Sequence, residues 1–314
     1  MPYTKLVIAS GTRPRPLPLA GADLPAVHTY RTLADATAVR DLAGEARKAL
    51  VIGGSFIGSE VAASLRLRGL EVTIVEMGDR LMPALASEAL SAQLLELYRG
   101  EGVDVLLNES IAELTANGRS LTGAVTGSGR RIEAFLVVVG VGVEPNVDFL
   151  DGSGIETDDG VVVDERFRTT VSDVFAIGDV ARYPDPVGGR PRRIEHWSNA
   201  DAQGAHLGRL LAGARAAYAE VPVFFTQLFG LKLQVLGDVE GVDDVVLRGS
   251  VADERVLGFY LREGRLTGAV LAGQNADVAE EIKALLPAHP EAPDRALLAN
   301  ETVRPAAAFA GALS

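Results

Sequence analysis

The 314-residue chain contains no cysteine. Disulfides, thiolate metal sites and thiol catalysis are therefore excluded anywhere in it. No apolar run approaches the roughly 18 residues that a membrane helix needs. The longest candidates, 134–143 and 221–231, have the length of a strand or a short helix. The opening Met1-Pro2-Tyr3-Thr4-Lys5 lacks a signal-peptide core followed by a small-residue cleavage site. Basic charge is also scarce: 30 Lys and Arg stand against 42 Asp and Glu, a formal net charge of −12. That balance disfavours nucleic acid, because duplex affinity rests largely on Lys and Arg meeting phosphates. The expectation is a soluble, cytoplasmic protein with no nucleic-acid or membrane partner. Apolar residues are not lacking: at 47% they suffice for a sizeable core and argue against disorder. Glycine, at 34 residues, exceeds the roughly 7% norm and directs attention to backbone-mediated phosphate binding.

Residues 5–11 read as a short buried strand ending on Gly11. Arg13-Pro14-Arg15-Pro16-Leu17-Pro18 cannot be helical, since each proline pushes its predecessor out of the helical region, and reads as a linker. A helix is predicted over 32–42. Ala49–Ile52 is an apolar strand, Gly53-Gly54-Ser55-Phe56-Ile57-Gly58 follows at once, and a helix runs from about Gly58 to Arg68. Ile57, Val61, Ala62 and Leu65 share one face of it, and Gly69 stops it. A second strand, 72–75, ends on Glu76. Another helix carries Leu90, Leu94, Leu97 and Tyr98, and further strands are expected over 103–107 and 134–139. A hairpin joins 121–126 to 130–133. Beyond Asp148 come strands at 161–163 and 174–177 and a helix over 199–212. The last part is strands from Leu231 onward and a helix over 276–286; the Ala-rich residues after Pro305 show no clear period.

Strand, glycine-rich turn, helix, strand and acid form the dinucleotide-binding unit. Gly53 permits the tight turn, the middle position lets a pyrophosphate approach the backbone, and Gly58 lets the helix pack close to the sheet. The helix N-terminus supplies N–H groups for phosphate. Ser55 stands where the pattern wants its second glycine. Glu76 lies 18 residues beyond Gly58, near the about 20 expected of the ribose-binding acid. A carboxylate there accepts from a 2′-hydroxyl and repels a 2′-phosphate, so NADH is expected over NADPH. The alternative is an ordinary tight turn between strand and helix.

Five ordered segments carry a resemblance. They are Leu6–Pro14, Gly53–Glu60, Gly140–Asn146, Ile177-Gly178-Asp179 and Glu195–Ala200, with Pro222–Leu236 beyond them. Together the chain resembles the FAD-dependent pyridine nucleotide-disulfide oxidoreductases, in particular the ferredoxin, rubredoxin and putidaredoxin reductases and the apoptosis-inducing-factor-like proteins. The resemblance implies an α/β fold: a Rossmann-like NAD-binding domain inserted in an FAD-binding domain, followed by an α+β reductase-type domain. The implied boundaries are a remnant of the first flavin segment with its linker over 1–23, the NAD-binding domain over 24–147, a second flavin segment over 148–219 and the C-terminal domain over 220–314. Such enzymes carry two dinucleotide fingerprints, and this chain shows one. The flavin domain is therefore expected to be incomplete, and the chain as written to hold FAD weakly, NADH more readily, and to tend to aggregate.

The resemblance also implies site residues. Gly53, Ser55, Phe56, Ile57, Gly58 and Glu76 belong to the NAD turn. Gly11, Arg13, Gly142, Gly178, Asp179, His196 and Trp197 belong to the cofactor crossings. Asp179 would hold the flavin's ribityl and pyrophosphate region, the alternative being a helix N-cap. Arg13 would touch cofactor, or be a solvated linker arginine. The Trp197 backbone N–H would face the flavin's pyrimidine edge, or the residue be a core or interdomain aromatic. His196 is read as hydrogen-bonding locally rather than shuttling protons. Glu60, placed in the first helical turn, is the candidate catalytic residue beside nicotinamide and flavin, the alternative being favourable interaction with the helix dipole. Phe225 would be offered to the flavin, or pack in the core. No metal cluster is expected.

The implied function is an NADH-dependent flavoprotein reductase using FAD to supply a ferredoxin-, rubredoxin- or Rieske-type acceptor, with a homodimer as a further possible assembly. Two alternatives stand beside it: an NADH-binding module without stable flavin or catalysis, and a thiol- or disulfide-linked reductase of the same fold.

Overall fold

The computed structural model describes residues 2–292 and 294–309; the last five residues of the expected C-terminal domain lie outside them. The chain begins with β1 (Leu6–Ile8) and β2 (Thr12–Pro14), then enters the nucleotide-binding unit. Its elements are β3 (Val27–His28), α1 (Leu33–Ala43), β4 (Lys48–Ile52), α2 (Phe56–Leu67), β5 (Glu71–Val75), α3 (Glu88–Gly100) and β6 (Asp104–Leu106). A three-stranded meander follows, β7 (Ile111–Asn117), β8 (Ser120–Thr126) and β9 (Arg131–Glu133), before β10 (Leu136–Val139) and β11 (Val143–Pro145).

The order β3-β10-β4-β5-β6 is parallel throughout. Alternation along the strands decides what covers each face. Ala49, Val51, Ile74 and Val138 pack under α2 and α3 on Val61, Leu65, Leu90 and Leu94. Leu50, Ile52, Val75 and Val139 meet Leu114, Leu121 and Ile132 of the meander. With both faces covered, these strands read as continuous apolar runs.

β2 pairs antiparallel with β11, so the chain enters and leaves the nucleotide unit side by side. The 13–18 segment, expected as a linker, thus starts as a strand: a two-stranded ribbon leaves Pro14 free of any need to donate on its outer edge. Leu17 and Leu24 then pack on the meander side of the nucleotide core.

The return segment holds β12 (Val161–Val162), β13 (Val174–Ala176), β14 (Ala181–Pro184), β15 (Pro191–Arg192) and α4 (Trp197–Leu211). β13 pairs in parallel with β1, Ile8 opposite Ala176. The C-terminal part is an antiparallel sheet of β16 (Val223–Leu228), β17 (Leu231–Gly237), β18 (Asp244–Ser250), β19 (Arg255–Arg262) and β20 (Arg265–Ala272), in the order β16-β17-β20-β19-β18. It is followed by α5 (Ala276–Leu285), α6 (Arg295–Ala299) and α7 (Pro305–Ala308). Leu257, Phe259 and Leu271 face Ile282, Leu298 and Phe309. The other sheet face, with Leu233, Val235, Tyr260 and Val270, joins the core formed by α2 and α3.

An ion network ties the β14–β15 hairpin to this sheet. Arg192 binds Asp185 at 2.6 Å and Asp238 at 2.8 Å, and Arg262 binds Asp238 at 2.7 Å. Both carboxylates are fully buried.

Two sequence expectations about α2 change. The helix starts at Phe56, with Ser55 as N-cap, two residues before the expected Gly58. Ile57 is 45% exposed and leaves the buried face, which Val61, Ala62 and Leu65 make without it. β7, β14, β15, β16, α6 and α7 were not read from the sequence at all.

Candidate active site

The nucleotide turn is shaped by contacts that exclude a side chain. Gly53 has φ +103°, and a Cβ on it would sit 2.3 Å from the Gly140 carbonyl oxygen. A Cβ on Gly58 would sit 1.9 Å from the Gly53 carbonyl oxygen. These two positions let α2 press against the turn and against β10. Ser55 caps through its extended backbone without a side-chain hydrogen bond, so the first N–H groups of α2 remain for an anion. Glu76 closes the turn from the end of β5: Oε2 accepts from Gly54 N–H at 2.6 Å and Oε1 from Gly78 N–H at 2.7 Å.

The residues expected at the flavin gather where β1, β2, β13 and α4 meet. Gly178 donates its N–H to Gln203 at 2.7 Å. Asp179 lies in the one-turn 3₁₀ helix Gly178–Val180, whose N-cap is Ile177, so Asp179 is not the cap residue. Its carboxylate accepts from Thr12 at 3.4 Å and from Arg31 at 3.1 Å. Arg193, almost buried, donates to the Asp179 carbonyl at 2.9 Å and pairs with Glu195 at 2.7 Å. Burial pushes the Glu195 carboxyl up, against the pull of Arg193. Gly11, at φ +64°, leaves room for the Arg31 guanidinium 3.5 Å from where its Cβ would be.

His196 is the N-cap of α4 and its Nδ1 accepts from Ser198 N–H. Burial holds its pKa below the usual histidine value, opposed by the Phe225 backbone and the Asp179 charge. Trp197 is 65% exposed and Phe225 37% exposed, so neither is a core aromatic. The Trp197 and Phe225 rings stand 6.3 Å apart, His196 lies 5.6 Å from Phe224, and Lys232 sits 4.3 Å over Phe225.

The remaining candidates fall elsewhere. Arg13 is engaged at the β2–β11 ribbon by Glu144 at 2.7 Å and Asp148 at 2.8 Å, with Asn146 at 3.3 Å. Gly142, φ +94°, faces Arg15 in the same ribbon. Glu60 is the fifth residue of α2, beyond the first turn where it was expected, because the helix begins earlier. Its Oε1 accepts from the Thr226 hydroxyl at 2.6 Å. Arg31, Ser198, Phe224 and Thr226 were missed in the sequence. Arg31 alone had a local signal, standing just before the capping box of Thr32 and Asp35.

The residues present fit one end of FAD. Asp179 offers acceptors beside the chain crossing, and Trp197 with Phe225 offers an exposed aromatic surface of the kind that a flat ring covers. Gln203 Nε2 is buried without a partner behind Gly178. For the ADP end, the described residues hold one strand–glycine turn–helix unit, the one that Glu76 braces from the end of β5. They form no group of histidines or acids able to hold a metal ion.

Comparison with known proteins agrees with this geometry. Residues 1–204 match the pyridine nucleotide-disulphide oxidoreductase family, and residues 223–307 match the reductase C-terminal family. Rhodocoxin reductase from Rhodococcus erythropolis is 37% identical over 295 residues, 94% of this chain and 69% of its own length. The benzene 1,2-dioxygenase system ferredoxin–NAD(+) reductase subunit of Pseudomonas putida is 35% identical, over 87% of this chain and 66% of its own length. The chain thus spans about two thirds of these curated relatives. A ferredoxin reductase structure from Rhodopseudomonas palustris superimposes with a TM-score of 0.90 at 33% identity, covering 96% of this chain and 74% of that one. Putidaredoxin reductase in its covalent complex with putidaredoxin gives 0.92 at 29% identity, covering 99% and 76%. With one glycine turn braced by Glu76, a second crossing centred on Asp179 and matches over nearly its whole length, the chain belongs to the FAD-dependent pyridine nucleotide-disulfide oxidoreductase family, in its ferredoxin reductase group.

Proposed function

We propose that this chain takes electrons from NADH and delivers them, through FAD, to a small iron-containing electron-transfer protein of ferredoxin, rubredoxin or Rieske type. The observation that carries this reading is the place of β16. It is hydrogen-bonded on one side to the nucleotide helix, Thr226 to Glu60 at 2.6 Å, and on the other to α4, Ser198 Oγ to the Val223 carbonyl at 2.5 Å. The nicotinamide-binding helix and the flavin-facing helix are thereby held against one strand.

When bound, FAD would accept a hydride from NADH and release the electrons singly. The chain's own residues hold and orient. The free N–H groups at the start of α2 take the pyrophosphate, and Glu76 takes the adenosine ribose. Asp179 and its neighbours take the ribityl side, and Trp197 and Phe225 shield the ring from water. Lys232 over Phe225 sets a positive charge at the exposed rim, where an acidic acceptor would be attracted. No general acid or base is required, and none of the site's groups is arranged as a nucleophile. A thiol relay has no cysteine in this chain to use.

The test supplies FAD in excess to the purified chain, adds NADH or NADPH anaerobically, and follows the visible flavin band. Bleaching by NADH, followed by recovery on addition of an oxidised ferredoxin, is expected. A band that NADH leaves unchanged overturns the proposal. NADH binding without flavin uptake would favour the second reading, a nucleotide-binding module; the two-stranded β1–β13 pair, with Leu6 and Val7 partly exposed, is the observation on its side.

A further inference from the structure

We infer that Thr226 is a positioning residue for the nicotinamide end of the dinucleotide, acting through Glu60; the inference rests on the NADH reading above. Thr226 lies on β16 opposite Leu233 and is 1% exposed. A buried hydroxyl must find an acceptor, and this one reaches the Glu60 carboxylate, 166 residues away in sequence. At 2.6 Å the bond has the length of a hydroxyl donating to an ionised carboxylate.

The contact is one of two matched rungs. Phe56 and Glu60 are four apart on α2 and so share a helix face. Phe224 and Thr226 are two apart on β16 and so share a strand face. Phe56 meets Phe224 edge-on at 5.3 Å, and Glu60 meets Thr226. The aromatic rung fixes the spacing between α2 and β16 beside the polar one.

The carboxylate is held by one oxygen only. Among the described residues Oε2 of Glu60 makes no hydrogen bond, and it is not one of the buried orphan atoms, so it remains accessible. A nicotinamide carboxamide carries an N–H pair suited to that acceptor. Without Thr226 the glutamate side chain would sample several rotamers and lose freedom on binding; with it, that ordering is complete beforehand. The effect is confined to the nicotinamide, since the pyrophosphate and adenosine ribose are held by the start of α2 and by Glu76.

The experiment is calorimetric titration of the full 314-residue chain with NADH and with ADP-ribose, which lacks the nicotinamide. Thr226→Val is expected to weaken NADH by about tenfold and to leave ADP-ribose within about twofold. Thr226→Ser, which keeps the hydroxyl, should restore NADH affinity. In a Glu60→Ala background, Thr226→Val should cost nothing further, as a double-mutant cycle requires of a residue acting through Glu60. Thr226→Ala removes the hydroxyl without placing a methyl group against the carboxylate and gives the same reading if the valine variant does not fold. Unchanged NADH affinity in the folded Val or Ala variant overturns the proposal, as does an equal loss of NADH and ADP-ribose, which marks a purely structural contact. An unaltered chain that binds neither ligand would overturn the dinucleotide reading itself, and the proposal with it.

Discussion

Glu76 has both carboxylate oxygens already occupied by backbone N–H groups, Gly54 on one and Gly78 on the other. The side chain therefore has a fixed direction before any ligand arrives, and each oxygen still has a lone pair for a ribose hydroxyl. A 2′-phosphate would meet that fixed negative charge at close range. The nearby cation Arg80 offers little relief, since its Nε and a terminal nitrogen are closed on Asp79 at 2.8 and 2.9 Å. NADH should bind at least about tenfold more tightly than NADPH, or 1.4 kcal/mol, and Glu76→Ala should narrow that gap. Equal dissociation constants for the two nucleotides in the unaltered chain, by calorimetry, would contradict the assignment. Asp179 presents a different case. Its carboxylate is shared between Thr12, on the first segment of the chain, and Arg31, at the start of the nucleotide unit, so it ties the return segment to both.

At the scale of elements, the part of the fold written in local sequence is the strand–turn–helix–strand unit. Gly53, Gly58 and Glu76 announce it because backbone geometry and close approach admit few alternatives there. The start of α2 was misplaced by two residues because Ser55 caps by backbone alone, and Phe56 and Ile57 carry no polar signal for a helix start. β2, β11, β14 and β15 are two to four residues long; such strands exist only because a distant partner pairs with them, and no alternation can develop over that length. Ser198 and Thr226 were illegible for the same reason, and the capping box after Arg31 marks its place but not its partner. The partners of Arg31, Ser198 and Thr226 lie 148, 25 and 166 residues away. The ion network between the β14–β15 hairpin and β17 to β19 is likewise long-range, and it yields a prediction. Burial raises the Asp238 carboxyl pKa, but the Arg262 hydrogen bond and the charges of Arg192 and Arg190 outweigh it and hold the group below its ordinary value. A carboxyl with a lower pKa folded than unfolded contributes stability that is full above the ordinary carboxylate range and is lost as pH falls through the folded value. Asp238→Ala leaves Arg192 and Arg262 without their shared partner and should cost about 3–5 kcal/mol in urea unfolding at neutral pH. The loss should shrink as the solution is acidified; a variant as stable as the parent at neutral pH would show the network to be idle.

For the whole molecule, the joint between the C-terminal sheet and the nucleotide unit has no hinge in its interior. Leu233, Val235, Tyr260 and Val270 share one continuous core with Val61, Leu65, Leu90 and Leu94. Interiors packed in this way do not slide; they keep one arrangement or come apart. Opening the C-terminal sheet therefore exposes the inner faces of α2 and α3, and the two units belong to one cooperative opening event rather than two. A ligand that binds only the closed form then stabilises everything that must open with it, by mass action. Saturating NADH should slow amide hydrogen exchange not only at the start of α2, its proposed site, but also in β17 and β20, which lie outside that site. Protection confined to the turn at Gly53–Gly58 would mean that the core divides. If it spreads, the reduced nicotinamide nucleotide acts on the C-terminal sheet as a remote folding ligand, and the rim around Lys232 proposed for the electron acceptor becomes more rigid whenever the donor is in place.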